Sequence, residues 1–151
     1  MKIVIIEDEA PAFRRLQKIL EEVMPDVELV EVFDSVEGAV EWIKANDQPD
    51  LFFMDIQLSD GLSFEIFDQV NVSSPVIFTT AFDEYMLKAF KVNSVDYLLK
   101  PIKKEDLQFS IEKLSKLRSL YSSGDININE IVKQINLESR DYKSRYLIRQ
   151  G

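Results

Sequence analysis

Four short segments of the chain carry side chains able to handle a phosphoryl group or a hard cation: Glu7-Asp8-Glu9, Asp55, Thr79-Thr80-Ala81 and Lys100-Pro101. Each follows directly on an apolar stretch, respectively Ile3 to Ile6, Leu51 to Met54, Pro75 to Phe78 and Val95 to Leu99. Singly they have plainer roles, Asp8 and Thr80 as helix caps and Lys100 as a solvated charge. If the apolar stretches are neighbouring strands, about 4.8 Å apart, the carboxylates that end them come close together. Two such charges at ~4 Å repel by about 4 kcal/mol at an effective dielectric of 20. Gathering Glu7, Asp8 and Asp55 therefore requires compensation, of which Lys100 supplies one positive charge and a divalent ion would supply the rest. The chain has no His and no Cys, so the donors are oxygens alone, which points to Mg²⁺ rather than zinc. The chemistry this suggests is phosphoryl transfer with Asp55 as nucleophile, since aspartyl phosphates are an established covalent form.

The elements that must position these residues follow from periodicity. Between the apolar stretches, Phe13, Leu16, Leu20 and Val23 recur at helical spacing, with Pro11 suited to a first turn. Residues 27–32 read as a strand whose Glu28 and Glu31 suggest a sheet edge, and Ser35 can cap a helix carrying Val36, Ala39, Val40 and Ile43. Further helices are expected over 61–70, 83–92 and 102–117. Strand–helix units in strict alternation predict a parallel sheet covered on both faces. The solid apolar runs at the first, third and fourth strands suit strands buried on both sides. The expected fold is flavodoxin-like, doubly wound (βα)5, with strand order 2-1-3-4-5. Ligands then sit beyond the carboxyl ends of strands one and three, where the order reverses.

The composition removes other classes of function. Among 151 residues, 18 Lys and Arg stand against 27 Asp and Glu, a net charge of −9 that repels nucleic acid. Residues 1–117 hold 12 basic and 23 acidic side chains, net −11, whereas 118–151 hold 6 and 4, net +2. Without His and Cys there is no Ser-His-Asp triad, no disulfide and no thiolate metal site. No apolar run approaches the ~20 residues that span a bilayer, and Glu7-Asp8-Glu9 interrupts any signal-peptide core. The expectation is a cytoplasmic protein with no membrane partner.

The acidic pair, the Asp, the Thr-Ala and the Lys-Pro, each at the end of its strand, resemble the receiver domain of two-component response regulators. The resemblance covers about residues 1–120. It implies that Asp55 accepts a phosphoryl group from a sensor histidine kinase. It also implies that Glu7, Asp8, Asp55 and the backbone carbonyl of Gln57 hold Mg²⁺, with Asp8 a more direct ligand than Glu7. By the same resemblance Lys100 pairs with the phosphoryl oxygens, the Thr80 hydroxyl bonds one of them after transfer, and Tyr97 is the switch aromatic. The Lys100-Pro101 bond is expected to be cis. One departure concerns the loop after Asp55: receivers often carry Pro four residues on, where this chain has Ser59, followed by Asp60-Gly61. A second is Glu7 rather than Asp at the first acidic position.

The fourth helix, fifth strand and last helix are expected to form the output face, with homodimerisation on phosphorylation and with Tyr85 and Phe90 as partner or core contacts. Residues 121–139 are expected to be a linker with a short amphipathic helix, in which Ile128, Ile131, Val132 and Ile135 share a face. Phe78 to Tyr85 and Val95 to Pro101 are similar to receivers of the LytTR (LytR/AlgR) subfamily. That likeness implies that 140–151 opens a truncated C-terminal LytTR-type DNA-binding domain, giving a transcription-regulating output on DNA. Two other functions fit the sequence, a stand-alone receiver that binds a protein target and an aspartyl-phosphate phosphohydrolase. Against the hydrolase, the general-acid Asp such enzymes place two residues after the nucleophile is Gln57 here.

Overall fold

A computed structural model of the chain describes residues 1–85, 88–89, 92 and 94–122. Along it run β1 (Lys2–Ile6), α1 (Ala10–Val23), β2 (Glu28–Phe33), α2 (Val36–Ala45) and β3 (Leu51–Asp55). A short hairpin, β4 (Gln57–Leu58) and β5 (Gly61–Leu62), precedes α3 (Phe64–Gln69), β6 (Val76–Thr80), β7 (Asp96–Leu99) and α4 (Lys104–Ser122). The main sheet is parallel throughout, in the order β2-β1-β3-β6-β7. Leaving the hairpin aside, this is the expected 2-1-3-4-5 arrangement of a flavodoxin-like fold. β2 is the edge strand that its glutamates indicated.

Side chains alternate across a strand, and the central strands use both faces for burial. Ile3 and Ile5 of β1, Phe53 of β3 and Ile77 of β6 pack with Leu16 and Leu20 of α1 and Leu107 and Leu114 of α4. Their neighbours Val4, Ile6, Phe52, Met54 and Phe78 pack the other way, against Val36, Val40 and Ile43 of α2 and Phe64 and Ile66 of α3. A helix layer on each side thus removes all of β3 and β6 from water.

Three expectations require correction. The helix expected over 61–70 begins only at Phe64, because Gly61 and Leu62 pair back on Leu58 and Gln57 as a hairpin. Gly61 adopts φ +147°, a conformation open to glycine and incompatible with a helical start. The last helix, expected over 102–117, runs from Lys104 to Ser122 and so overlaps the first two residues of the expected linker. In place of the beginning of a helix over 83–92, Asp83–Tyr85 form a 3₁₀ turn, while Lys88 and Ala89 are helical. Phe90 and the expected features of 123–151 lie outside the described residues. Among the described residues no helix is long and apolar enough to cross a membrane.

Phe53, 1% exposed at the middle of the sheet, tests the packing. Phe53→Ala should cost about 3–5 kcal/mol of unfolding free energy in urea titrations, with little change in slope.

Candidate functional site

Strand register brings the chemistry-bearing residues to one edge. Ile6 of β1 is level with Met54 of β3, which sets Glu7 beside Asp55. Asp55 is level with Thr79 of β6, and Thr80 with Leu99 of β7. The ladders run slightly past the strands: the Glu7 amide donates to the Phe33 carbonyl, Ile56 to Thr79, and Lys100 to Thr80. These bonds fix where the backbone stands as it leaves the sheet.

Lys100 spans the site. Its Nζ lies 2.6 Å from Glu7 Oε1 and 3.2 Å from Asp55 Oδ2, so a lysine that follows β7 reaches carboxylates on β3 and β1. Only a long, flexible cationic stem can cross a strand in this way. One carboxylate oxygen from each of Glu7, Asp8 and Asp55 lies within 4.8 Å of the others. Glu7 and Asp55 are buried, while Asp8 is exposed. Asp8 does not cap α1, whose N-cap position is Glu9.

The electrostatics show an excess of negative charge. Burial pushes the Glu7 carboxyl above its ordinary value, and the hydrogen bond to Asp55 adds to this against the opposing pull of Lys100. Asp8 is also raised, first by loss of hydration and then by the charge of Glu7, against a lowering bond to its own backbone. For Lys100 burial acts to lower the pKa but is overcome by the bond to Glu7 and the charge of Asp55, leaving the ammonium held above its usual range. One lysine therefore does not neutralise the set. A hard divalent cation fits these all-oxygen donors, and they would hold Mg²⁺ better than a soft metal.

The remaining expected residues lie close by. Thr80 is buried, and its hydroxyl accepts from the Phe82 amide at 3.1 Å. The Gln57 amide donates to Asp55 Oδ1 at 3.3 Å, while its side chain donates to the Tyr85 hydroxyl at 3.0 Å. Tyr97 points inward and is 2% exposed, its hydroxyl pushed up to about 12 by burial, with the charges of Asp83 and Asp96 adding to it. The Lys100-Pro101 bond is cis.

Two polar groups escaped sequence reasoning. Asp60, at the hairpin tip, accepts from the amides of Val36 and Glu37 at 2.8 and 3.1 Å. Asp96, fully buried in β7, accepts from the Ser110 hydroxyl and lies 3.9 Å from Lys113 Nζ. An Asp within an apolar strand, with Ser110 and Lys113 three apart on the facing helix, was the available signal for the second.

Comparison with known proteins decides the family. The family model described as response regulator receiver domain matches residues 3–112. The chain belongs to the response regulator receiver family. It is 38% identical over 119 residues to the sensory transduction protein LytT of Bacillus anthracis, covering 77% of this chain and 48% of that protein. It is 34% identical over 142 residues to LytR of Streptococcus agalactiae serotype V, covering 91% and 57%. The chain thus spans about half the length of the curated relatives it matches. Among solved structures it resembles the response regulatory domain of mrkE from Klebsiella pneumoniae, with TM-score 0.66, 29% identity and coverage of 77% and 96%. A two-component response regulator from Clostridium difficile gives TM-score 0.64 and 27% identity, again covering 77% and 96%.

In the receiver without added cation, the raised Glu7 pKa means that the folded chain holds a proton the unfolded chain releases. Stability should therefore fall as pH rises from the ordinary 4.5 through the folded value. Lys100→Ala removes the neutralising partner. Carboxyl-resolved NMR titration should find Glu7 titrating higher still, with a stability loss at or below the roughly 3–5 kcal/mol of a broken buried pair. The partial exposure of Lys100, 18% at the side chain, sets that ceiling. An unchanged or lower Glu7 pKa in the variant would show that the lysine does not neutralise the site.

Proposed function

We propose that the chain is the phosphoacceptor receiver of a cytoplasmic response regulator, phosphorylated on Asp55 by a sensor histidine kinase. The observation that carries this reading is the contact of Lys100 with both Glu7 and Asp55 beside an acidic trio at the switch in strand order. In the transfer a carboxylate oxygen of Asp55 attacks phosphorus and forms a P–O bond. The P–N bond to the donor imidazole breaks, and the imidazole nitrogen keeps the electron pair. Lys100, released from part of its ion pairing, meets the added negative charge on the phosphoryl oxygens. The Thr80 hydroxyl can exchange its bond from Phe82 for one to those oxygens. When bound by Glu7, Asp8, Asp55 and the Gln57 carbonyl, Mg²⁺ would supply charge neutralisation at the phosphoryl oxygens. These 151 residues contain no His, so the donor phosphohistidine lies outside them.

The likeness to LytT and LytR sensory transduction proteins supports a LytTR-type, transcription-regulating output acting on DNA beyond the receiver. Tyr97, buried in the core on the α2 and α3 side of the sheet, is read as the switch aromatic.

Intact-mass measurement after exposure to acetyl phosphate and Mg²⁺ tests the chemistry. The wild type should gain one labile phosphoryl group and Asp55→Asn none. Labelling of Asp55→Asn to the wild-type extent would refute the assignment. For the output, a phosphoryl mimic at Asp55 should shift the protein toward a dimer in size-exclusion chromatography. An unchanged elution position would count against homodimerisation.

A further inference from the structure

We propose that Asp60 is a positioning residue for the cation site: it fastens the tip of the β4–β5 hairpin to the N-terminus of α2 and thereby holds Gln57 in place beside Asp55. Its consequence for Mg²⁺ rests on the phosphoacceptor reading above.

The first N–H groups of a helix have no partner within it and must find one elsewhere. In α2 the amides of the first three helical residues are all met. The amides of Val36 and Glu37 donate to the two carboxylate oxygens of Asp60, at 2.8 and 3.1 Å, and Gly38 donates to the Ser35 hydroxyl at 3.0 Å. Ala39 then begins the backbone ladder to the Ser35 carbonyl. Asp60 thus takes two of these donors from a segment 23 and 24 residues away in sequence. Both hydrogen bonds hold its carboxyl below the usual range, that from Val36 most, and the charge sits at the positive end of the helix dipole.

What this anchors is a weak element. β4 and β5 are two residues each, and an isolated two-stranded hairpin is marginal in water. The turn, Ser59-Asp60, contains no proline ring to limit it and runs into Gly61 at φ +147°. The base is secured to the sheet: Ile56 donates to the Thr79 carbonyl and receives Ser63 at its own, at 2.9 and 2.8 Å. Asp60 secures the other end. Gln57 lies between these two fastenings, its amide on Asp55.

The test separates anchoring from helix capping. Asp60→Ala removes both roles, whereas Ser35→Ala uncaps the same helix and leaves the tip fastened. Asp60→Asn keeps one acceptor oxygen and serves should the alanine variant not fold. Hydrogen exchange over residues 56–63, without metal, should quicken in Asp60→Ala, less in Asp60→Asn, and not in Ser35→Ala. Mg²⁺ titration by calorimetry should show roughly tenfold weaker binding in Asp60→Ala, an intermediate loss in Asp60→Asn and none in Ser35→Ala. Unchanged exchange in both Asp60 variants overturns the anchor. Equal Mg²⁺ loss in Ser35→Ala and Asp60→Ala reduces Asp60 to a cap and overturns it too. If the wild type binds no Mg²⁺, the metal-assisted reading falls, and the exchange result alone decides the anchor.

Discussion

Charge compensation at the carboxyl edge of the sheet is the constraint around which the rest is arranged. Glu7 and Asp55 are buried side by side, and both contact Lys100 Nζ. Burying carboxylates without such a partner is costly, and like charges at this spacing repel. Four strands hold that ammonium in reach: β7 sets its backbone, β6 receives its amide at the Thr80 carbonyl, and β3 and β1 bring the carboxylates level. The two helix layers then matter to the site because they fix four strands in register. A slip of one residue in β3 would exchange its two buried faces and carry Asp55 away from Lys100.

The incomplete neutralisation is as informative as the contact. A folded protein whose only requirement was stability would be served by matched charges, yet Glu7 and Asp8 are both held above their ordinary values. Burial is the first cause of both shifts, with the neighbouring carboxylates adding to it, and a cation bound at this site would oppose both. The all-oxygen donors say which kind of cation suits it. On the proposed phosphoacceptor reading, the same lysine that restrains the carboxylates would meet the phosphoryl oxygens.

Much of this was legible before any coordinates. The apolar runs and the intervening helical periods specify a parallel sheet covered on both faces, and the strand-end positions of Glu7, Asp8, Asp55, Thr80 and Lys100 mark one edge of it. Each of those signals is local, and the fold rules that assemble them are few. The hairpin was misread because Gly61-Leu62-Ser63-Phe64 offers an apolar spacing that continues smoothly into α3, while Gly61's positive φ is not written in its neighbours. Asp60 showed as a turn residue, but its partners lie more than twenty residues away on α2, and no local pattern connects them. Asp96 sits within an otherwise apolar strand, and its partners Ser110 and Lys113 face it from α4, again without a local pattern to connect them.

That buried group bears on how the site can be heard elsewhere. β7 carries Asp96, fastened to α4, then Tyr97, packed on the opposite face of the sheet, and then runs directly into Lys100 at the acidic edge. Since Asp96 meets Ser110 and Lys113 in a place closed to water, leaving either partner alone would strand a charge, which makes the β7–α4 seat stiff. Beyond the strand ends the contacts are lighter: Thr80 holds the Phe82 amide and Gln57 holds Tyr85. Those hydrogen bonds are individually modest and partly solvent-facing, so they cost less to exchange than the buried seat of Asp96.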